Sequence, residues 1–143
     1  MRVLVITALL AGGCSRPRSL APTVAQAKTL MAELGIPCED RADVLKCTSA
    51  TGAPRADGFV NLDAADHTKV TSLEIYLQDT TADRATPLLQ RALAPHLPVG
   101  AMDGIAARLA TPHGKSFTIE KVEILAETSS ASGLHVQIDY WDR

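Results

Sequence analysis

The densest group of reactive side-chain types in this chain is Asp63-Ala-Ala-Asp66-His67. Two carboxylates and an imidazole so close together could bind a metal ion or carry protons. Their spacing matches no particular site geometry. A calcium loop would offer more oxygen ligands at alternate positions and a glycine for the turn. The favoured reading of the segment is therefore a solvated polar loop. His96, His113 and His135 are scattered, and catalysis needs several groups that converge. His96 stands between prolines at a helix end, where a cation suits the dipole. Gly-x-Ser-x-Gly, the glycine-rich phosphate-binding loop and His-Glu-x-x-His are all absent. No catalytic residue is assigned, and neither a metal nor a cofactor is expected.

A second group depends on strand alternation rather than on a motif. Leu73, Ile75 and Leu77 share one parity, with Glu74 and Tyr76 on the other. Leu134, Val136, Ile138 and Tyr140 alternate with His135, Gln137, Asp139 and Trp141. If helices cover only one side of a sheet, Glu74, Tyr76, His135, Gln137, Asp139 and Trp141 line the other. Aromatic and polar side chains together suit a protein-binding surface. The competing reading has Trp141 simply packing on the sheet edge.

The elements that would position these residues follow from periodicity. Val24, Ala27, Leu30, Met31 and Leu34 recur at helical spacing. Thr23 and Gln26 fit a capping box at the start of that helix, and Gly35 with Pro37 ends it. Val44 to Cys47 reads as strand, residues 48–58 as loop, and Phe59 to Leu62 as a short strand. Val70 to Leu77 is a longer strand. A helix follows in which Asp83 caps and Pro87 falls in the first turn, with Leu89, Ala92, Leu93 and Leu97 as its apolar face. Met102, Ile105 and Leu109 suggest a third helix, weakened by Gly104. Phe117 and Ile119 take one parity and Val122, Ile124 and Ala126 the other, a phase change that suggests a bulge near Glu120-Lys121. This strand and the one over residues 134–140 should pair antiparallel. The order α-β-β-β-α-α-β-β predicts an α+β fold, an antiparallel sheet with helices packed on one face.

The chain has 143 residues and 46% hydrophobic residues, values that fit one domain with a real core. Aromatics make up only 3%, so Leu, Ile, Val and Ala must fill that core. The formal net charge is −2, without a basic block. Nucleic-acid binding is disfavoured, because counterion release needs clustered Lys or Arg and base stacking needs exposed rings. No segment approaches about 18 consecutive apolar residues, so no membrane-spanning helix is expected.

The amino terminus carries the most specific pattern. Arg2 supplies a positive start, Val3 to Leu10 form a short apolar run, and Ala11, Gly12 and Gly13 are small residues before Cys14. This resembles the signal and lipobox of bacterial lipoproteins, with Ala11 where the motif usually has Leu. The resemblance covers residues 1–14 alone. It implies a signal peptide over 1–13, cleavage before Cys14 and acylation of its thiol, palmitate among the chains. Residues 14–22 would be a polar, proline-containing tether, and 23–143 a single domain. Ser15 in place of Asp implies, by the same resemblance, the outer membrane facing the periplasm. An ordinary secretory cleavage giving a soluble protein, or a buried apolar strand of a cytosolic one, are the competing readings.

Three cysteines are an awkward number for an exported protein. With Cys14 lipidated, Cys38 and Cys47 remain as a pair. A disulfide between them is favoured over a shared metal, because no further ligand stands at the usual spacing. The expected function is an envelope-anchored, non-catalytic module that binds another protein, of the inhibitor, immunity or assembly-accessory type by analogy of size and location. A small envelope hydrolase using Asp63, Asp66 and His67, and a carrier with an apolar cavity, are the alternatives.

Overall fold

The computed structural model describes residues 20–41, 44–49, 56–111, 115–129 and 133–141. The expected signal segment, Cys14 and most of the tether lie outside the described residues, as does His113. Helix α1 spans Val24–Glu33 and begins with the anticipated capping box. The Gln26 amide N–H donates to Thr23 Oγ1 at 3.2 Å, and the Thr23 amide N–H donates to Gln26 Oε1 at 3.0 Å. Two donors at the helix start are thereby satisfied reciprocally, a gain of about 0.5–2 kcal/mol for such caps. Gly35 closes the helix at φ +79°, a conformation that costs glycine no Cβ clash.

The strands are β1 (Cys38–Glu39), β2 (Val44–Thr48), β3 (Ala56–Leu62), β4 (Val70–Gln78), β5 (Phe117–Ile119), β6 (Val122–Ser129) and β7 (Gly133–Tyr140). Between β4 and β5 lie α2 (Ala82–Leu93), a 3₁₀ turn (Ala94–His96) and α3 (Ala101–Leu109). All strands join one sheet in the order β1-β2-β3-β4-β7-β6-β5. Every neighbouring pair is antiparallel. The α+β architecture is thus as the periodicity predicts, with two additional short strands, β1 and β5, at the edges.

Several local expectations need correction. The phase change at Glu120-Lys121 is not a bulge. Ile119 pairs with Val122, so the chain reverses in a two-residue turn, with Glu120 at φ +54°. A parity slip in sequence looks the same for either device. A bulge does occur elsewhere, where Asn61 pairs with Ser72 but Leu62 pairs with Val70. Thr71 is the extra residue, and Val70 is thereby turned into the core. Strand β3 starts at Ala56 rather than Phe59. In α2, Thr81 is the N-cap but makes no side-chain cap bond. Pro87 therefore lies two residues deeper than expected, beyond the first turn, and removes a helical hydrogen bond.

The core lies between the helices and one face of the sheet. Leu45, Val60, Leu73, Ile138 and Ile124 form one continuous row across the paired strands, all buried. Met31 and Ile36 from the α1 region, Leu89 and Leu93 from α2, and Ile105 and Leu109 from α3 pack over that face. Close approach depends on two glycines. A Cβ at Gly104 would stand 2.7 Å from the Phe117 ring, which lies against α3. The Arg108 guanidinium covers that ring at 3.9 Å, a cation–π contact. A Cβ at Gly58 would meet the Glu74 carbonyl oxygen at 2.7 Å and Ile36 and Met31 behind it.

Cys38 and Cys47 are directly opposed on β1 and β2 and joined by a disulfide. The bond ties the two-residue edge strand to the sheet across a short loop, worth roughly 2–3 kcal/mol by chain entropy. Gly58→Ala should cost about 1–3 kcal/mol by overpacking, because the nearest obstacle is backbone and cannot swing away. Urea denaturation measures this, and an unchanged midpoint would mean that the β3–β4 ladder can shift to admit the methyl group without cost.

Candidate functional site

Because the helices occupy one side, the opposite side chains of the same strands form an open sheet face. Register sets three rows across it. Lys46, Phe59, Glu74, Gln137 and Leu125 form one. Thr48, Asp57, Tyr76, His135 and Glu127 form the second, and Val44, Asn61, Ser72, Asp139 and Glu123 the third. In the middle strands these side chains are half-buried, Ser72 fully so, and no helix among the described residues packs over them.

The second row holds the most ordered group. The Tyr76 and His135 rings stack with centroids 4.3 Å apart and planes 5° from parallel. His135 Nδ1 lies 3.1 Å from Glu127 Oε1. An ionised carboxylate only accepts, so Nδ1 carries the donated proton. Nε2 on the far side of the ring is buried and has no hydrogen-bond partner among the described residues. The Tyr76 hydroxyl donates to Glu74 Oε2 at 3.3 Å. Burial, the Glu74 charge and that hydrogen bond push the Tyr76 pKa up, so the phenol remains a donor.

In the third row Glu123 and Asp139 stand directly opposite each other. Like charges so placed repel. Burial first, and then the charges of Glu123 and Glu74, raise the Asp139 pKa, against a lowering hydrogen bond that Gln137 Nε2 donates to Asp139 Oδ2 at 3.0 Å. Asn61 Nδ2 donates to the buried Ser72 Oγ at 2.7 Å. Trp141 follows β7, with its backbone N–H donating to the Lys121 carbonyl at 2.8 Å. Its side chain is 46% exposed.

By register Glu74, Tyr76, His135, Gln137 and Asp139 stand on one face of the neighbouring strands β4 and β7, and Trp141 follows β7. Asp57, Phe59, Glu123, Leu125 and Glu127 belong to the face and were not singled out from sequence. Glu123, Leu125 and Glu127 carried a signal, since they alternate with the core residues Val122, Ile124 and Ala126. Asp57 did not, because it falls in a stretch that reads as loop.

The Asp63–His67 segment has another role. It is the β3–β4 turn, and its carboxylates are engaged by backbone. Asp63 Oδ1 accepts from the amides of Ala65 at 2.8 Å and Asp66 at 2.9 Å. Asp66 Oδ1 accepts from the Thr68 amide at 3.0 Å and its hydroxyl at 2.6 Å, bonds that lower the Asp66 pKa. Both are Asx-type turn contacts, and His67 is exposed beside them. Among the described residues no three His, Cys, Asp or Glu side chains converge as metal ligands. His96 is half-buried, and burial lowers its pKa despite a hydrogen bond with the Leu20 backbone. It favours the neutral form, where the sequence suggested a cation. A groove of about 350 Å³ between α1 and the end of α2, lined by Thr29, Glu33, Arg91 and His96 among others, is wide open to solvent.

The geometry defines a small α+β domain with one packed and one open sheet face. Comparison with family models, curated proteins and solved structures finds no match for this chain.

The Asp139 environment gives a pH prediction. Its folded pKa is raised, so the native state holds the proton more tightly than the unfolded chain. Its contribution to stability is full below the ordinary Asp range and is lost as pH rises through the raised value. Asp139→Asn should therefore be more stable than the parent at neutral pH, and the difference should vanish in acid. Urea denaturation at a series of pH values checks this; a destabilised Asn variant at pH 7 would contradict it.

Proposed function

We propose that this chain is an envelope lipoprotein whose domain is a non-catalytic module that docks another protein on its open sheet face. The observation that carries the reading is the face itself. A sheet with a complete core on one side presents on the other a half-buried, hydrogen-bonded group of aromatic and polar residues around Tyr76 and His135. Such a surface is ordered before a partner arrives, which lowers the entropic cost of association.

Anchoring rests on the amino-terminal resemblance to the lipobox at Cys14. The Cys38–Cys47 disulfide supports an oxidising compartment and leaves Cys14 as the unpaired thiol, available to a lipid. No helix among the described residues is long and apolar enough to cross a membrane. A membrane protein of this design would be held by acyl chains, two or more being needed for stable attachment. The hydrolase alternative loses its residues, because Asp63 and Asp66 are occupied in a turn. The carrier alternative needs an enclosed apolar cavity, which the open groove beside α1 does not supply.

Two measurements test the two halves. The protein recovered from a bacterial membrane fraction should have an intact mass that begins at Cys14 plus acyl chains and rises by about two mass units on reduction. An unmodified full-length mass in the soluble fraction would refute the anchor. A photo-crosslinking residue in place of Trp141 should give a discrete protein adduct in intact cells, while the same residue in place of the exposed Ala107 on α3 should not. Adducts at both positions, or at neither, would refute docking through the open face.

A further inference from the structure

We infer that the occupant of the open face is a cationic protein segment, one that places an arginine guanidinium between Glu123 and Asp139; this rests on the docking reading above. The carboxylates of Asp57, Glu74, Glu123, Glu127 and Asp139 all stand on this face by register. The described basic groups beside them are Lys46, exposed at one side, His135, already engaged with Glu127 at 3.1 Å, and Lys121, two residues before Glu123 in the β5–β6 turn and itself engaged in an interaction. The acidic groups are not a solubilising rim. Glu74, Glu123, Glu127 and Asp139 sit on β4, β6 and β7, inside the sheet, and each is half-buried.

The decisive feature is the Glu123–Asp139 pair. Directly opposed like charges cost stability in the free protein, and Glu123 adds to the burial that chiefly raises the Asp139 pKa. A guanidinium is planar, always charged and presents donors in a fork, so it can bridge two carboxylates at once. It would convert the repulsion into paired hydrogen bonds. The rings of Phe59 and Tyr76 on the same face, with the exposed Trp141 directly after β7, add π surfaces suited to a cation.

Charge also selects against the other occupants. Two copies meeting through this face would set carboxylates against carboxylates. An anionic membrane surface and nucleic acid would be repelled for the same reason.

Trp141 is the single tryptophan of the chain and therefore a built-in reporter at the border of the face. The full chain, purified from the envelope in neutral detergent, is titrated with a short Arg-Gly-Ser repeat peptide and, separately, with a Glu-Gly-Ser repeat. The arginine peptide should change Trp141 emission and the glutamate peptide should not. Raising salt from about 50 to about 500 mM should weaken the arginine titration, as screening requires. The double variant Glu123→Gln with Asp139→Asn should bind the arginine peptide about 10-fold more weakly, or worse. It relieves repulsion, so it should fold at least as well as the parent. Glu33→Gln, on α1, should bind as the parent does.

Equal response to both peptides, an unaffected double variant, or no response to the arginine peptide at low salt would overturn the inference. Failure of docking is read separately. A Trp141 adduct whose contacting segment carries no Arg or Lys sinks the cationic occupant and leaves docking intact, whereas absence of any adduct removes both.

Discussion

The last strand holds the sheet together. β7 is hydrogen-bonded to β4 on one side and to β6 on the other. Without it the sheet divides into a four-stranded piece from the first half of the chain and the β5–β6 hairpin from the second. The core row that runs through Leu73, Ile138 and Ile124 is continuous only because β7 supplies Ile138 between the other two. The same insertion builds the open face, since His135 reaches Tyr76 on one neighbour and Glu127 on the other. Core and surface group thus share one dependence on pairings distant in sequence, a topology that favours slow closure over fast local folding.

That distinction between local and distant also separates what the sequence reveals from what it conceals. The capping box at Thr23 and Gln26 is legible because its chemistry is complete within four residues. Gly35 is legible for the same reason. The alternations of Leu73–Leu77 and Leu134–Tyr140 are legible because burial on one face imposes a period of two. These suffice to predict an antiparallel sheet with helices on one side, and from it most of the candidate face. The neighbours of β7 are not written locally. The stacking of Tyr76 on His135 and the opposition of Glu123 to Asp139 therefore appear only once the register is known.

Other misses have physical causes of their own. A two-residue turn at Glu120-Lys121 and a bulge produce the same change of parity, and the Ile119–Val122 pairing decides between them. Strand β3 takes in Asp57 and Gly58, residues poor in strand propensity, because pairing to β2 and β4 on both sides overrides it. Asp63, Asp66 and His67 look like a reactive cluster because turn-forming and proton-handling chemistry draw on the same residue types. Only the short bonds from the amides of Ala65, Asp66 and Thr68 reveal which use the chain makes of them.

The borders of the sheet carry a consequence of their own. One border is a strand of two residues stapled by Cys38–Cys47, and the other is a strand of three residues ending in a tight turn. Neither offers the long run of unpaired N–H and C=O groups on which a foreign chain could template itself. Among the described residues β5 covers β6 only from Val122 to Ile124, so the rest of the outer edge of β6 pairs with no strand. A foreign chain meeting either border strand would find a ladder of only two or three residues, and the longer stretch of exposed ladder is the outer edge of β6.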